Sequence, residues 1–430
     1  MEPMDIEPSS STSNLGINYY DSDVIGNGAT AIVYRGFFDV PEKKAAIKRV
    51  FVQYYDVFEN ELKIWSSVDD NVNIIRCFKY LKWEEPTGIN LYFAMELANT
   101  SLQNFVEQNP QDYVSIKNYL RDACKGLKWL HGKRVIHRDI KPANIMIFDN
   151  GIAKLGDFGI SKKISSITEG TNSMGRGTGD YLAPEVIEAI DTKQAFVNTT
   201  SLDIFSMGLT IHNSLAQGNH IFGSVFRRLL NITSGRMDWS NLVGGDMGVR
   251  AKSLVSAMIK YEGKDRPNIE AVLNHPFFWN YKKDLRFVMS LAKSFSDKNI
   301  PEIKQINSKY SDEMSKTMMD GDWRQYIEDA SLELFTANHK RKYKTSRIME
   351  LVALIRDKNE HYLELNTLLL MDDFFGENGE FSDEKYIKFF TSKVPHLIIF
   401  LYCTMQSIKV KGRFKYDYYT DDRKNFTMLT

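Results

Sequence analysis

The sequence predicts an α+β body of two lobes, strands ahead of helices, followed by a small all-α extension. Three observations carry this. Strand-like segments flank a glycine-bearing stretch, Ile25-Gly26-Asn27-Gly28-Ala29-Thr30-Ala31-Ile32-Val33. Further on, His137-Arg138-Asp139-Ile140-Lys141-Pro142-Ala143-Asn144 is followed by Asp157-Phe158-Gly159. Beyond Trp279, apolar residues recur at helical spacing with no Gly/Ser/Pro-rich linker. At 430 residues and 43% hydrophobic content the chain can fill more than one core. The expected divisions are a disordered tail over 1–18, the two-lobed body over 19–279 and the extension over 280–430.

The first eighteen residues lack both a basic and an apolar stretch, so they do not read as a signal peptide. In the glycine stretch, Gly26 and Gly28 let backbone approach phosphates while Ile25 and Val33 cover an adenine ring. The usual third glycine is Ala31, tolerable unless the backbone there needs positive φ. Ala45-Ala46-Ile47-Lys48 reads as a strand whose lysine grips phosphates, with Ala46 lining the adenine site. Glu61, on a helix with Phe58, Leu62 and Trp65, is its expected ion-pair partner. A lone Lys and Glu would ordinarily be a solvated pair; order and spacing favour the ion pair here. Leu91 to Leu97 reads as a buried strand entering a hinge, with Met95 as gatekeeper and Glu96 and Leu97 beside adenine.

Phosphoryl transfer asks little covalent work of a protein, so its site supplies positioned charge. Asp139 fits the carboxylate beside the attacking hydroxyl, and Asn144 and Asp157 fit ligands for Mg2+ that accompanies ATP. Together these motifs resemble a protein kinase fold, and Lys141 marks the serine/threonine kinases. Downstream, Gly177 to Tyr181, Ala183-Pro184-Glu185, Asp203 and Arg266 resemble kinase scaffold features, including a Glu185–Arg266 ion pair. Ser161, Ser165, Ser166, Thr168, Thr171 and Ser173 are hydroxyls whose phosphorylation could order their loop against Arg138.

In the extension, Leu285, Val288, Ala292 and Phe295 recur at helical spacing, and Ile348, Leu351, Val352 and Ile355 form an i, i+3, i+4, i+7 stripe. Another helix is expected after Val394 with Pro395 in its first turn. Asp322-Trp323-Arg324, the run from Tyr343 through Tyr362, and Thr391 to Leu397 resemble the inositol-requiring kinase-endoribonuclease family and its relative ribonuclease L. Gly218 to Gly223 and His275 to Trp279 match it too. That family fuses a kinase to an all-helical kinase-extension nuclease domain. The resemblance implies metal-independent RNA cleavage, in which a ribose 2′-hydroxyl attacks the adjacent phosphate. It implies His361 as general acid, Tyr343 as base or phosphate contact, and Arg356 as bidentate phosphate ligand. From spacing alone, a lone Arg, His or Tyr at a helix end reads as a solvated surface group or a cap.

One position departs from the family: its asparagine beside the arginine is Asp357 here. A carboxylate about 4 Å from the scissile phosphate would cost roughly 4 kcal/mol at an effective dielectric near 20, about a thousandfold in rate. A turn toward Lys358, protonation, or compensation by Arg356 would each offset this. The resemblance further implies self-phosphorylation in trans, a homodimer through the kinase domains, and RNA as substrate. Two alternatives stay open: a helical domain kept as an inert dimerisation scaffold, and a regulator that pairs with a longer family member or upstream sensor.

Composition narrows the rest. Lys plus Arg equals Asp plus Glu at 55 each, so no global field draws the chain to nucleic acid, and no DNA partner is expected. Cys77, Cys124 and Cys403 are odd in number and scattered, as in reduced cytosolic chains, and read as small hydrophobes. The longest apolar run, Val394 to Cys403, is broken by Pro395 and His396 and falls short of the roughly 18 residues of a membrane span. A cytoplasmic protein is expected.

Overall fold

The structure, a computed structural model, describes residues 16–407 except 29, 40–42, 52–53, 69–70, 86–87, 164–178, 195, 296–300, 318–321, 328–334, 336–341, 362–373 and 377–379, together with Tyr418 and Phe426. Ala29, Ser165, Ser166, Thr168, Thr171, Ser173, Gly177, Thr178, Tyr362 and the tail up to residue 15 lie outside the described residues. The chain divides into two compact units. One holds Met1–Asn241 with Ile259–Ile269, the other Leu242–Met258 with Glu270–Thr430.

The first unit opens with five antiparallel strands, β1 Ile17–Asn27, β2 Ala31–Phe38, β3 Lys43–Val50, β4 Cys77–Glu85 and β5 Gly88–Met95, in the order β1-β2-β3-β5-β4. Ile17 and Asn18, assigned to the tail from sequence, instead begin β1, because Ile17 is fully buried in the sheet's core with Tyr19, Tyr34, Ala45, Ile47 and Tyr92. Alternation on β3 then decides the site: Ala45 and Ile47 enter that core, while Ala46 and Lys48 point to the opposite face. A one-residue slip would bury Lys48 among the aromatic rings, so packing fixes the register. The Tyr55–Val68 helix places Phe58, Glu61 and Trp65 inward, at the spacing read from sequence.

Helices dominate the rest of this unit. Ser201–Leu215 is buried almost all round, as a central helix of a helical lobe must be. Its His212 lies edge-on to Trp239, with ring centroids 5.6 Å apart. His220 is fixed as the neutral ring: Nδ1 accepts the Phe222 N–H at 3.2 Å and Nε2 donates to the Asp180 carbonyl at 2.9 Å. Burial holds both imidazoles down at about 4, and for His220 the Arg228 guanidinium adds to it. The native rings stay neutral while the unfolded chain takes up protons near pH 6.5, so stability is complete above that pH and falls as pH drops toward 4. We expect a loss on the order of 2 kcal/mol per ring between pH 6.5 and 5. Melting temperature against pH checks this: His212→Leu should flatten the slope over that window, and an unchanged slope would remove His212 from the account.

In the second unit, Tyr281–Ser294, Ile348–Glu360 and Asp383–Lys393 pack together. Ile348, Leu351, Val352 and Ile355, the stripe read from sequence, are at most 1% exposed. Arg250 makes a bidentate pair with Asp284 at 2.8 and 2.9 Å, both side chains buried. Trp279, Phe287, Tyr402 and Tyr418 form a mutual aromatic cluster. The helix expected after Val394 runs Leu397–Ser407, and Pro395 stands before it rather than in its first turn. Val394 N–H still closes the preceding helix on Phe390 O at 2.8 Å, and the first helical bond runs from Phe400 N–H to His396 O, which leaves the proline in the connecting turn. The three cysteines are free thiols; Cys124 is buried, and Cys77 and Cys403 are half-buried. Among the described residues, no helix is long and apolar enough to cross a membrane.

Candidate active sites

In the first unit, Lys48 meets both oxygens of Glu61 at 2.8 Å and the Asp157 carboxylate at 3.0 Å. Lys48 and Glu61 are buried, whereas the Asp157 side chain is 50% exposed and can meet a ligand. Burial disfavours the Lys48 charge, but Asp157 and Glu61 outweigh it and hold the ammonium above its ordinary range. The same lysine holds Asp157 at about 2. Burial pushes Glu61 up, with Lys48 opposing. Asp157 adopts a left-handed φ of 63°, and Phe158 behind it fills the space between Trp65 and His137.

The catalytic loop is built around Asp139. Its Oδ2 accepts from Lys141 Nζ at 2.8 Å and from Asn144 Nδ2 at 2.8 Å, and Asn144 also bonds the Asp139 carbonyl. Asp203, fully buried on the central helix, accepts from the backbone N–H groups of His137 and Arg138 at 2.9 and 2.8 Å and lies 2.9 Å from the His131 ring. Burial would raise its carboxyl; His131 and the backbone donors outweigh that and hold it below the usual range. Glu185 and Arg266 form the expected bidentate pair, both contacts 2.7 Å.

Around the nucleotide position, Gly26 pairs with Val33, and a Cβ on Gly28 would meet nothing nearer than Ala31 O at 3.5 Å. Ala31 does not have positive φ, so the missing third glycine costs the loop nothing. Ala46 pairs with Met95 across β3 and β5. The Glu96 carboxylate turns to Lys154 at 2.7 Å and the Arg76 N–H at 3.0 Å, and its own N–H bonds the Arg76 carbonyl at 3.1 Å, so at the hinge only its backbone carbonyl is available to adenine. Ser161, a candidate phosphorylation site from sequence, is 1% exposed and its Oγ donates to His137 O at 3.0 Å. In this arrangement it serves as an internal tie of the catalytic loop and cannot be reached by a second kinase. Asn60 bonds the same residue's carbonyl at 2.7 Å. Sequence reasoning assigned nothing to Asn60, His131 or Lys154, whose partners are distant along the chain.

In the second unit, Asp357 joins two of the expected nuclease groups. Tyr343 Oη donates to its Oδ2 at 2.8 Å, and Arg356 Nε donates to its Oδ1 at 2.9 Å. Arg356 and Asp357 are each about a fifth exposed. His361 caps the C-terminal end of the Ile348–Glu360 helix with an exposed side chain, its N–H bonded to Asp357 O at 3.2 Å. Tyr343, Arg356 and Asp357 are thus joined through side chains, and His361 follows them at the end of the same helix.

Residues 19–278 match the protein kinase domain family, and residues 285–419 match the ribonuclease 2-5A family. The first part is therefore a protein kinase domain, and the helical part that follows it in sequence is similar to the ribonuclease 2-5A family. Among curated proteins, the chain is 30% identical over 419 residues to the serine/threonine-protein kinase/endoribonuclease ire-1 of Caenorhabditis elegans, covering 94% of this chain and 41% of that protein. It is 27% identical over 422 residues to the sensor for unfolded proteins in the ER ire1 of Schizosaccharomyces pombe, with coverages of 90% and 38%. Against the serine/threonine-protein kinase/endoribonuclease IRE2 of Homo sapiens it is 28% identical over 436 residues, with coverages of 98% and 44%. The chain belongs to the protein kinase domain family, matches the ribonuclease 2-5A family in the part that follows, and spans about two-fifths of the length of these relatives.

Proposed function

We propose that the chain is an ATP-dependent serine/threonine kinase that phosphorylates itself in trans, and that its helical domain cleaves RNA without a metal once two copies pair through their kinase domains. The observation that carries the reading is the convergence of charges scattered through the sequence, Lys48 and Asp157 lying 109 residues apart, on one ion cluster at the edge of a cleft. The boundaries that fit this are a kinase over 19–279, its first strand beginning two residues earlier at Ile17, and a nuclease over 280–430. Reduced scattered cysteines fit the cytoplasm.

In the kinase, the residues fit ATP with Mg2+: Ile25, Gly26, Gly28, Val33, Ala46, Met95, Glu96 and Leu97 would surround the nucleotide, with Lys48 on its phosphates and Asn144 and Asp157 as oxygen ligands. Bound magnesium supplies charge neutralisation on the phosphates. Lys48 keeps Asp157 ionised, Glu61 keeps Lys48 in place, and Asp139 accepts the proton of the incoming hydroxyl while Lys141 offsets the charge that develops beside it.

In the nuclease, His361 protonates the leaving 5′-oxygen, Tyr343 assists the 2′-hydroxyl, and Arg356 binds the phosphate. Asp357 is compensated by Arg356, as the shared contact supports. The same contact favours a second reading, a helical domain that dimerises but does not cleave, since Arg356 is already engaged. A regulator that pairs with a longer family member is the third. Structured RNA incubated with the dimerised protein in chelator separates these: defined fragments ending in 2′,3′-cyclic phosphate support the nuclease. Intact RNA beside normal self-phosphorylation leaves the scaffold, and a longer relative co-purifying with inactive protein leaves the regulator.

A further inference from the structure

We propose that the groove lined by Met289, Ser290, Lys293, Arg356 and Glu360 is a subsite for a second nucleotide of the RNA, with Lys293 as its phosphate ligand. The inference rests on the nuclease reading above and names where the strand continues from the scissile bond. The groove, about 410 Å³, lies between the Tyr281–Ser294 and Ile348–Glu360 helices and falls in the size range of small-ligand sites. Arg356, the expected ligand of the scissile phosphate, forms one wall, so whatever enters lies next to the reacting bond.

Lys293 stands in the last turn of its helix, exposed, and makes no ion pair among the described residues. A lysine in a last turn is ordinarily explained by the helix dipole. Its place on the groove shared with Arg356 is what points further. Arg356 gives part of its charge to Asp357, so a polyanion held here needs a second cation. Glu360 is an anion on the same wall and repels phosphate, which confines the phosphate to the Lys293 side. It then faces the base, where its carboxylate accepts from an exocyclic amino group. Met289 offers an apolar surface to the base or ribose, and the Ser290 hydroxyl, 3.3 Å from Tyr418 Oη, adds a polar edge.

The test uses the full-length protein and uncleavable 2′-O-methyl RNA, read by fluorescence anisotropy over a salt series. For a hexanucleotide, Lys293→Ala should weaken binding about tenfold and lower the slope of log affinity on log salt by roughly 0.7, one phosphate contact on a single strand. For a dinucleotide, which carries only the phosphate that Arg356 takes, the same variant should bind as the parent does. Lys304→Ala, an exposed cation off this groove, should leave both substrates unchanged. Equal losses on both lengths, or a Lys304→Ala effect as large, would overturn the subsite. Arg356→Ala separates the two readings: if it weakens both substrates while Lys293→Ala weakens neither, the nuclease site stands and the subsite falls. If Arg356→Ala is also neutral, the site itself is misplaced.

Discussion

Asp139→Asn is expected to lower ATP-dependent self-phosphorylation by roughly 10²- to 10⁴-fold, the range ordinarily lost with a positioned general base. The amide oxygen of asparagine can still accept from Lys141 and Asn144, so the loop should keep its shape while losing the group that takes the proton. In the proposed function nucleotide binding rests on other residues, above all Lys48, whose contacts to Glu61 and Asp157 do not involve Asp139. ATP with magnesium should therefore raise the melting temperature of the variant by about as much as it does for the parent. Radiolabel incorporation and thermal melting measured on the same preparation check both halves. Incorporation that persists within tenfold of the parent would take the base role away from Asp139.

The second large effect concerns the other unit. His361→Ala should reduce RNA cleavage by about 10²- to 10⁴-fold, because the leaving 5′-oxygen would depart without a proton donor. Folding should be untouched, since the ring is exposed and it is the backbone of residue 361 that bonds Asp357. Cleavage in chelator followed on a gel provides the measurement, and fragments unchanged by the substitution would show that the acid lies elsewhere. Asp357→Asn is the informative companion. It removes the carboxylate that now draws on Arg356 and Tyr343 but keeps an acceptor in place. If the parent is inert and this variant cleaves, the helical domain of the natural chain is a scaffold. If both cleave, the arginine has offset the extra charge.

Much of this was legible in the sequence because kinase chemistry fixes residue types at short spacings. Asp139, Lys141 and Asn144 lie within one loop, and the Ile348 stripe follows a helical period, so local reading finds them. What escaped was partner choice through space. That Glu96 turns its carboxylate to Lys154, 58 positions on, depends on how the hinge meets a later strand, and no spacing announces it. Ser161 looks like any loop hydroxyl until packing places it under His137. The start of β1 at Ile17 was lost because two residues of a strand carry little pattern against a polar tail. Asp357 was recognised as a departure, yet the sequence left its compensation open; in the structure it is the link between Tyr343 and Arg356.

Asp203 carries a consequence for how heat would silence the enzyme. By accepting the amide protons of His137 and Arg138, it hangs the reactive loop from the most deeply enclosed helix of its unit. Such a loop has no inexpensive route to fray by itself. Those two amides should exchange with deuterium no faster than the interior of the helix that holds them, and phosphoryl transfer should persist on warming until that whole unit comes apart.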